Sequence, residues 1–494
     1  MINLLRNFKS VKTNKLFFSS SIYQKSTLEN STEKYYRQAA SLLKIDDDMT
    51  EFLLKPASTL KMNIPLLRDD GSVTMIPALR CHHKEHKLPL KGGLIINENV
   101  SISEVEALGL ITSIKLAAVE VPYGGAAGAV CLHPGLFSRS EIDRVIIRMT
   151  IELSKYNYIG PGIDVIGPNF GSTPHHMDLI KNTYKNYFGL DNFNNNAIVT
   201  GKNPVNSGIE GRSEATGLGM FYCIKNIFEK DKFEKLRNKY KVTKGLKDKT
   251  VCIQGYGRVG KSIAAQMVKH GAKVICIEEW DGCVYNEDGI NLKDLDKHFN
   301  ERKGFQSYDD HNSEINILAH ECDILVTAFS SEVITMNNVK QVKAKVIVEG
   351  ANGATSFDAD AYLEKKKVLV LPDIIANSGG IIVSYIEWLK NIDHKRPGRL
   401  ENQWDSKANK MLLKAIQKQL EKTGIEVDLE NTSDLLLKRT TPQLVRTGLE
   451  NIIDKAMDQI RETADEKDIS VRLATFSNGL KRILRDYEND GLII

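Results

Sequence analysis

The sequence predicts an α/β fold with two main domains, one built on a doubly wound parallel sheet. Three observations predict it. The chain has 494 residues, enough for two or three domains. Residues 250–279 read as strand, glycine turn, helix and strand. Two further short apolar runs, Val346 to Val348 and Val368 to Leu371, lead into Asn352 and Asn377, as strands of an open sheet lead into ligand at their carboxyl ends.

Within 250–279, Val251-Cys252-Ile253 has the length of a buried parallel strand. Gly255-Tyr256-Gly257-Arg258-Val259-Gly260 follows as G-x-G-x-x-G. Gly255 makes the tight turn, Gly257 lets backbone approach a pyrophosphate, and Gly260 lets helix lie on strand. A helical pattern through Ile263, Ala264, Met267 and Val268 stops at Gly271, and its N-terminus offers unpaired N–H groups to phosphate. A second strand, Val274 to Ile277, ends in Glu278-Glu279, where Glu279 is spaced to take ribose hydroxyls. Together these features specify a Rossmann unit for a dinucleotide.

Composition excludes several classes. Net charge is +4, too small at this length to point to nucleic acid. No apolar run reaches the ~18 residues of a membrane span. The seven cysteines are scattered without a C-x-x-C pair, which suits a reducing compartment and neither a disulfide frame nor a zinc site. Residues 1–25 carry Arg6, Lys9, Lys12, Lys15 and Lys25 among apolar residues and serines, with no acid before Glu29. That is the composition of a mitochondrial transit peptide, and it predicts the mitochondrial matrix.

Residues 30–55 read as helical, and Ile64 to Leu79 as a hairpin turning at Asp69-Asp70-Gly71. His82 and His86 have ligand spacing but no carboxylate partner, so no metal is expected. Lys91-Gly92-Gly93 suits close approach of backbone to a small ligand with an amine facing it. Ser101-x-x-Glu104 opens a helix with stripe Val105, Leu108, Ile111. Lys115 falls on the same stripe, where a lysine is costly unless an anion meets it or it snorkels at the helix end. Pro122 to Val130 reads as a glycine-alanine loop with no acid–base group, and Gly160 to Asn169 as a stiff Gly/Pro loop. Between them lies an amphipathic helix that Ser140 caps.

From about Arg80 onward the chain resembles the glutamate dehydrogenases, within the Glu/Leu/Phe/Val dehydrogenase family. The resemblance rests on Lys91-Gly92-Gly93, Lys115, Pro122-Tyr123-Gly124-Gly125-Ala126, Gly160-Pro161-Gly162-Ile163-Asp164-Val165 and Gly211-Arg212-x-x-Ala215-Thr216-Gly217. It continues through Glu349-Gly350-Ala351-Asn352-Gly353, Asn377-Ser378-Gly379-Gly380 and Ser384-Tyr385-x-Glu387-Trp388. It implies a substrate domain and a nucleotide domain flanking a cleft, oxidation of glutamate to 2-oxoglutarate and ammonia with hydride passing to NAD(P), and hexamers. By that resemblance Lys91, Lys115, Arg212 and Ser384 face the substrate, while Thr216, Asn352 and Asn377 meet the nicotinamide end.

Three departures stand against it. The family's Gly-Gly-Ala-Lys-Ala-Gly carries its catalytic lysine where this chain has Ala127, and no lysine occurs from Leu116 to Ser154. The family's catalytic aspartate is here Asn169, and Ile95 replaces the arginine of Lys-Gly-Gly-x-Arg. Acid–base groups each contribute roughly 10²–10⁴-fold.

The expected organisation is a transit peptide (1–25), a substrate domain (26–205), a Rossmann domain (206–390), an antenna-like insertion (391–445) and a helical segment returning to the body (446–494). The insertion's stripe is Met411, Leu412, Ala415, Ile416 and Leu420. Three functions stay open: an impaired paralogue with a regulatory or structural role, an active NAD-linked enzyme of amino-acid catabolism with rerouted proton transfers, and a sensor of NAD(H) or dicarboxylate. The departures favour the first, as a homohexamer or a mixed hexamer with an active relative.

Overall fold

The computed structural model describes residues 27–190, 192–302, 304–312, 314–393 and 441–490, with Met411 and Ala415. The predicted transit peptide lies outside the described residues. So does the predicted insertion, apart from its ends and those two residues, which are helical and exposed.

Two sheets organise the chain. The first orders its strands β1 (Ser58–Leu67), β2 (Val73–Lys84), β4 (Gly124–Val130), β3 (Leu90–Ile96) and β5 (Asp164–Pro168). β1, β2 and β4 pair antiparallel, whereas β3 lies parallel to both β4 and β5. The second sheet is ordered β12 (Leu369–Leu371), β11 (Val346–Glu349), β10 (Ile324–Thr327), β6 (Thr250–Gln254), β7 (Lys273–Glu279), β8 (Gly282–Tyr285), β9 (His311–Asn312). Its first five are parallel. From β6 the chain goes to β7 on one side and later to β10 on the other, so the order reverses at β6. That reversal opens a crevice at the strands' carboxyl ends. The α/β class and the Rossmann arrangement are as expected.

The described helices are α1 (Thr27–Leu43), α2 (Asp47–Leu54), α3 (Ile102–Ala118), α4 (Arg139–Lys155), α5 (Pro174–Tyr187), α6 (Ala215–Glu229), α7 (Glu234–Tyr240), α8 (Arg258–Lys269), α9 (Leu292–Arg302), α10 (Phe357–Lys365), α11 (Asp373–Ala376), α12 (Gly379–Ile392), α13 (Thr441–Lys467) and α14 (Val471–Asp490). α8 follows the glycine turn, buries Ile263, Ala264 and Met267, and ends where Gly271 takes φ +84°. α13 buries Leu449, Ile453, Ala456 and Ile460, and Arg482 of α14 donates to the last carbonyls of α3, Ala117 and Ala118. The C-terminal helices thus pack onto both halves.

Several local expectations are corrected. Gly124–Val130 is a fully buried central strand. Its small residues let α3 close on the sheet: a Cβ on Gly125 would lie 2.2 Å from Ser113 Oγ. Asp164–Pro168 is likewise an edge strand within the predicted loop. Residues 30–55, by contrast, are helical as expected, in the two helices α1 and α2. Ser138, with Glu141 in a capping box, caps α4 in place of Ser140. Gly92 serves its neighbours before any ligand, since a Cβ there would meet Ala126 O at 1.8 Å.

Candidate functional site

A cleft of about 600 Å³ runs between the two sheets, lined by β3, α3 and the 167–170 turn on one side and by the starts of α6 and α8 and the ends of β10 and β11 on the other. Lys91, Lys115, Arg212 and Ser384 all line it, as do Thr216, Asn352 and Asn377. The residues singled out in the sequence on both sides of the nucleotide unit therefore converge.

Lys91 comes from β3 and is buried. Its Nζ stands 2.5 Å from where a Cβ on Gly167 would be, so that glycine leaves it room. Burial, then the charges of Arg212 and Arg80, push its amine down to about 7. Arg212 Nε donates to Ser384 Oγ at 3.0 Å, and burial lowers its guanidinium to about 10, still charged at neutral pH. A Cβ on Gly380 would crowd Thr216 Oγ1 at 2.8 Å and Arg212 at 3.2 Å, so this glycine clears space for both. Lys115 is buried on α3, and burial lowers its amine as well. It donates to Asn352 Oδ1 at 2.9 Å and to Asn377 Oδ1 at 2.5 Å, across the cleft. Its partners here are amide oxygens at the nucleotide side. Lys91, Lys115 and Arg212 thus bring two amines and a guanidinium to one cleft, groups that can meet a carboxylate.

Ala127 and Asn169, the residues expected at the acid–base positions, have different surroundings. Ala127 is buried in an apolar cluster with Cys81, Ile95, Leu108 and Ile111. Asn169 faces the cleft opposite Gly93, where a Cβ would come 2.7 Å from its own. Its Oδ1 accepts the N–H of Phe170 at 2.8 Å, and its backbone N–H donates to Ser172 Oγ. A carboxamide so tethered holds a turn and moves no proton.

The nucleotide side fits a dinucleotide. Gly255 has φ +93°, and a Cβ on it would meet Ala328 O at 2.8 Å; one on Gly260 would meet Gly255 O at 1.9 Å. A Cβ on Gly257 would meet nothing within 4 Å, so its face is open at the start of α8, where no side chain caps the helix. Glu279 Oε1 accepts the N–H of Tyr256 at 2.5 Å, bringing its carboxylate to the glycine turn. Trp280 beside it is exposed.

The comparisons with known proteins agree with this geometry. Residues 56–186 match the Glu/Leu/Phe/Val dehydrogenase dimerisation domain, and residues 207–437 the Glutamate/Leucine/Phenylalanine/Valine dehydrogenase domain. The mitochondrial glutamate dehydrogenase of Dictyostelium discoideum is 34% identical over 460 residues, covering 92% of this chain and 90% of that protein. The chain belongs to the Glu/Leu/Phe/Val dehydrogenase family. The NAD-specific glutamate dehydrogenase A of Halobacterium salinarum is 35% identical over 75% of this chain and 81% of its own length. Among solved structures, the hetero-hexameric glutamate dehydrogenase of Thermus thermophilus, leucine-bound, superposes with TM-score 0.78 at 24% identity, covering 96% of this chain and 99% of that one. The glutamate dehydrogenase of Peptoniphilus asaccharolyticus gives 0.70 at 26%, over 94% and 99%.

Sequence reasoning missed two features of this family member's site. Thr200 Oγ1 is buried without a partner and lies 3.4 Å from the Gly167 Cβ position, beside Lys91. Nothing in its local sequence marks it. Arg80, fully buried, clamps Asp164 through Nε and Nη2 at 2.6 Å each and donates to Gly93 O at 3.2 Å. Asp164 belongs to the motif that carried the resemblance, which was the available signal.

Proposed function

We propose that this chain binds NAD(H) and a dicarboxylate of the glutamate/2-oxoglutarate kind, but is a catalytically impaired paralogue with a regulatory or structural role in the mitochondrial matrix. The observation that carries the reading is the coexistence of Lys91, Lys115 and Arg212 in the cleft and a dinucleotide turn with Ala127 in an apolar cluster and Asn169 tied to Phe170. Lys91 and Arg212 would anchor carboxylates. Lys115 would exchange its amide partners for the ligand. Bound NAD would supply a hydride acceptor; the chain offers no acid–base group at either family position. Glutamate-dependent NAD reduction by the purified chain tests this.

The NAD preference rests on Glu279, whose carboxylate accepts ribose hydroxyls and repels a 2′-phosphate. NADH is expected to bind more tightly than NADPH in fluorescence titrations. Equal or tighter NADPH binding would refute the assignment of Glu279.

Dicarboxylate binding is expected to take up a proton. Free Lys91 titrates near 7, and a bound anion raises its pKa, since opposite charge favours the protonated amine. Affinity therefore falls as pH rises above about 7, by up to tenfold per unit, until the raised pKa is passed. Calorimetry with 2-oxoglutarate in buffers of different ionisation enthalpy reads the uptake directly. Lys91→Met should bind more weakly and lose the uptake; an unchanged proton count would remove Lys91 from the linkage.

The hexamer, alone or mixed with an active relative, is part of the same reading; 391–445 is its antenna-like insertion, and 26–205 and 206–390 are its substrate and Rossmann domains. Inter-subunit coupling of about 1–3 kcal/mol suffices for regulation. Mass photometry of the chain alone and co-expressed with an active family member is expected to give hexamers that mix. A monomer in both cases rejects assembly, and homohexamers that never mix reject the regulatory role.

A further inference from the structure

Beneath Asn352 and Asn377 lies a buried ionic network that hydride transfer does not itself require. Arg472 of α14 is 2% exposed. Its Nη2 meets Glu349 Oε1 at 2.7 Å, its Nε meets Asp360 Oδ1 at 3.2 Å, and its Nη1 lies 3.6 Å from Asp373 Oδ1. The guanidinium also covers the Tyr35 ring of α1, 5.0 Å from its centroid. Three carboxylates thus share one buried guanidinium. Taking such a cluster out of water is costly, and an apolar core of similar volume is often no less stable.

What the network does with its remaining oxygens is specific. Glu349 ends β11, immediately before Gly350-Ala351-Asn352, and its Oε2 accepts the backbone N–H of Asp373 at 2.9 Å. Asp373 Oδ2 in turn accepts the N–H of Gly353 at 3.0 Å. Gly353 takes φ +59°, and a Cβ there would meet Leu28 of α1 at 2.2 Å, so the turn after Asn352 is held from both sides. The Asn352 amide is then oriented. Its oxygen accepts from Lys115 Nζ at 2.9 Å and from Asn377 Nδ2 at 2.9 Å, and Asn377 Nδ2 also donates to Gly350 O at 3.2 Å. An ammonium can only face the amide oxygen, which fixes the flip that coordinates alone leave open. Among the described residues the Asn352 Nδ2 has no protein partner. It is a donor lining the cleft.

We propose that Asp373, held by Glu349 and Arg472, is a positioning residue for the nicotinamide end of the coenzyme: by fixing Gly353 it sets the Asn352 amide N–H toward the carboxamide oxygen. This rests on the coenzyme reading above and deepens it. It also makes the C-terminal helix α14 part of the coenzyme site without touching coenzyme.

The test separates the two ends of the ligand. NADH and ADP-ribose, which lacks nicotinamide, are titrated against wild type, Asp373→Asn and Arg472→Lys, with unfolding scans to verify that each variant is folded. Asp373→Asn keeps size and removes the charged acceptor. It is expected to weaken NADH by about tenfold, the worth of one well-placed hydrogen bond, and ADP-ribose by less than about twofold. Arg472→Lys keeps the charge but loses the fork; the same selective loss, smaller, is expected, and it carries the test should the first variant not fold. Equal weakening of both ligands, or none, overturns the positioning role. A wild type that binds NADH no better than ADP-ribose also overturns it while leaving the coenzyme reading intact. A wild type that binds neither overturns both.

Discussion

Glutamate oxidation by this chain is expected to run at least about a hundredfold below a working family member, because on the proposed reading Ala127 and Asn169 stand where acid–base groups would typically contribute roughly 10²–10⁴-fold each. The geometry makes the absence hard to circumvent. Ala127 belongs to an apolar cluster with Ile95 and Leu108, so neither its own side chain nor theirs supplies an amine. Asn169 is tied to Phe170 N–H and Ser172. Lys91 and Lys115 remain in the cleft, but on the proposed reading both are taken up by the carboxylates of the ligand, Lys115 after leaving Asn352 and Asn377. Ala127→Lys with Asn169→Asp should recover part of the rate. The lysine stem would find apolar packing against the Ile95 cluster while its amine reached the cleft. Each single change should recover less than the pair, since acid–base groups that act as a unit are not additive. The measurement is initial-rate NAD reduction in protein free of host enzyme. An ordinary turnover in the unmodified chain would sink the impaired reading. No recovery in the double variant would assign part of the loss to Ile95.

The nucleotide unit was legible in the sequence because its determinants are local. Strand, glycines, helix and Glu279 follow one another within 30 residues, and each acts through neighbours in sequence. Lys115 stood out for the opposite reason, as a cation on an apolar stripe, where an anion or a snorkelling stem would be expected; its partners are the amide oxygens of Asn352 and Asn377. The glycine-alanine stretch was misread because small residues carry little strand preference of their own. What makes Gly124–Val130 a central strand is α3 lying against it through Gly109 and Ser113, a tertiary fact. Thr200, and Arg472 among its three carboxylates, were invisible for the same reason. Their surroundings come from elsewhere in the chain: Arg472 is 123 residues from its partner Glu349.

The largest stability effect is expected at Arg80. Its guanidinium and the Asp164 carboxylate are both fully buried, 2.6 Å apart, with His82 Nε2 on the same carboxylate at 3.1 Å. Burial by itself would raise Asp164. The Arg80 charge and the hydrogen bonds from His82 and Arg80 outweigh it and hold the carboxyl below its usual range. Arg80→Met removes the counter-charge and strands that carboxylate, which should destabilise the chain by about 3–5 kcal/mol. Asp164→Leu strands the guanidinium and should do similar damage. The double variant should be less destabilised than the sum of the singles, since neither charge is then left unpaired. Denaturant unfolding of all four proteins closes the cycle. Additive losses would mean that the pair is only two well-packed side chains. The pair also carries the Gly93 carbonyl, through Arg80 Nη1, and one of the two cations that depress Lys91. Losing Arg80 should therefore raise the Lys91 pKa and move the proton uptake on dicarboxylate binding to higher pH, provided the variant stays folded. A cycle that couples while the uptake stays in place would confine Arg80 to stability and leave Arg212 and burial as what tunes the anion site.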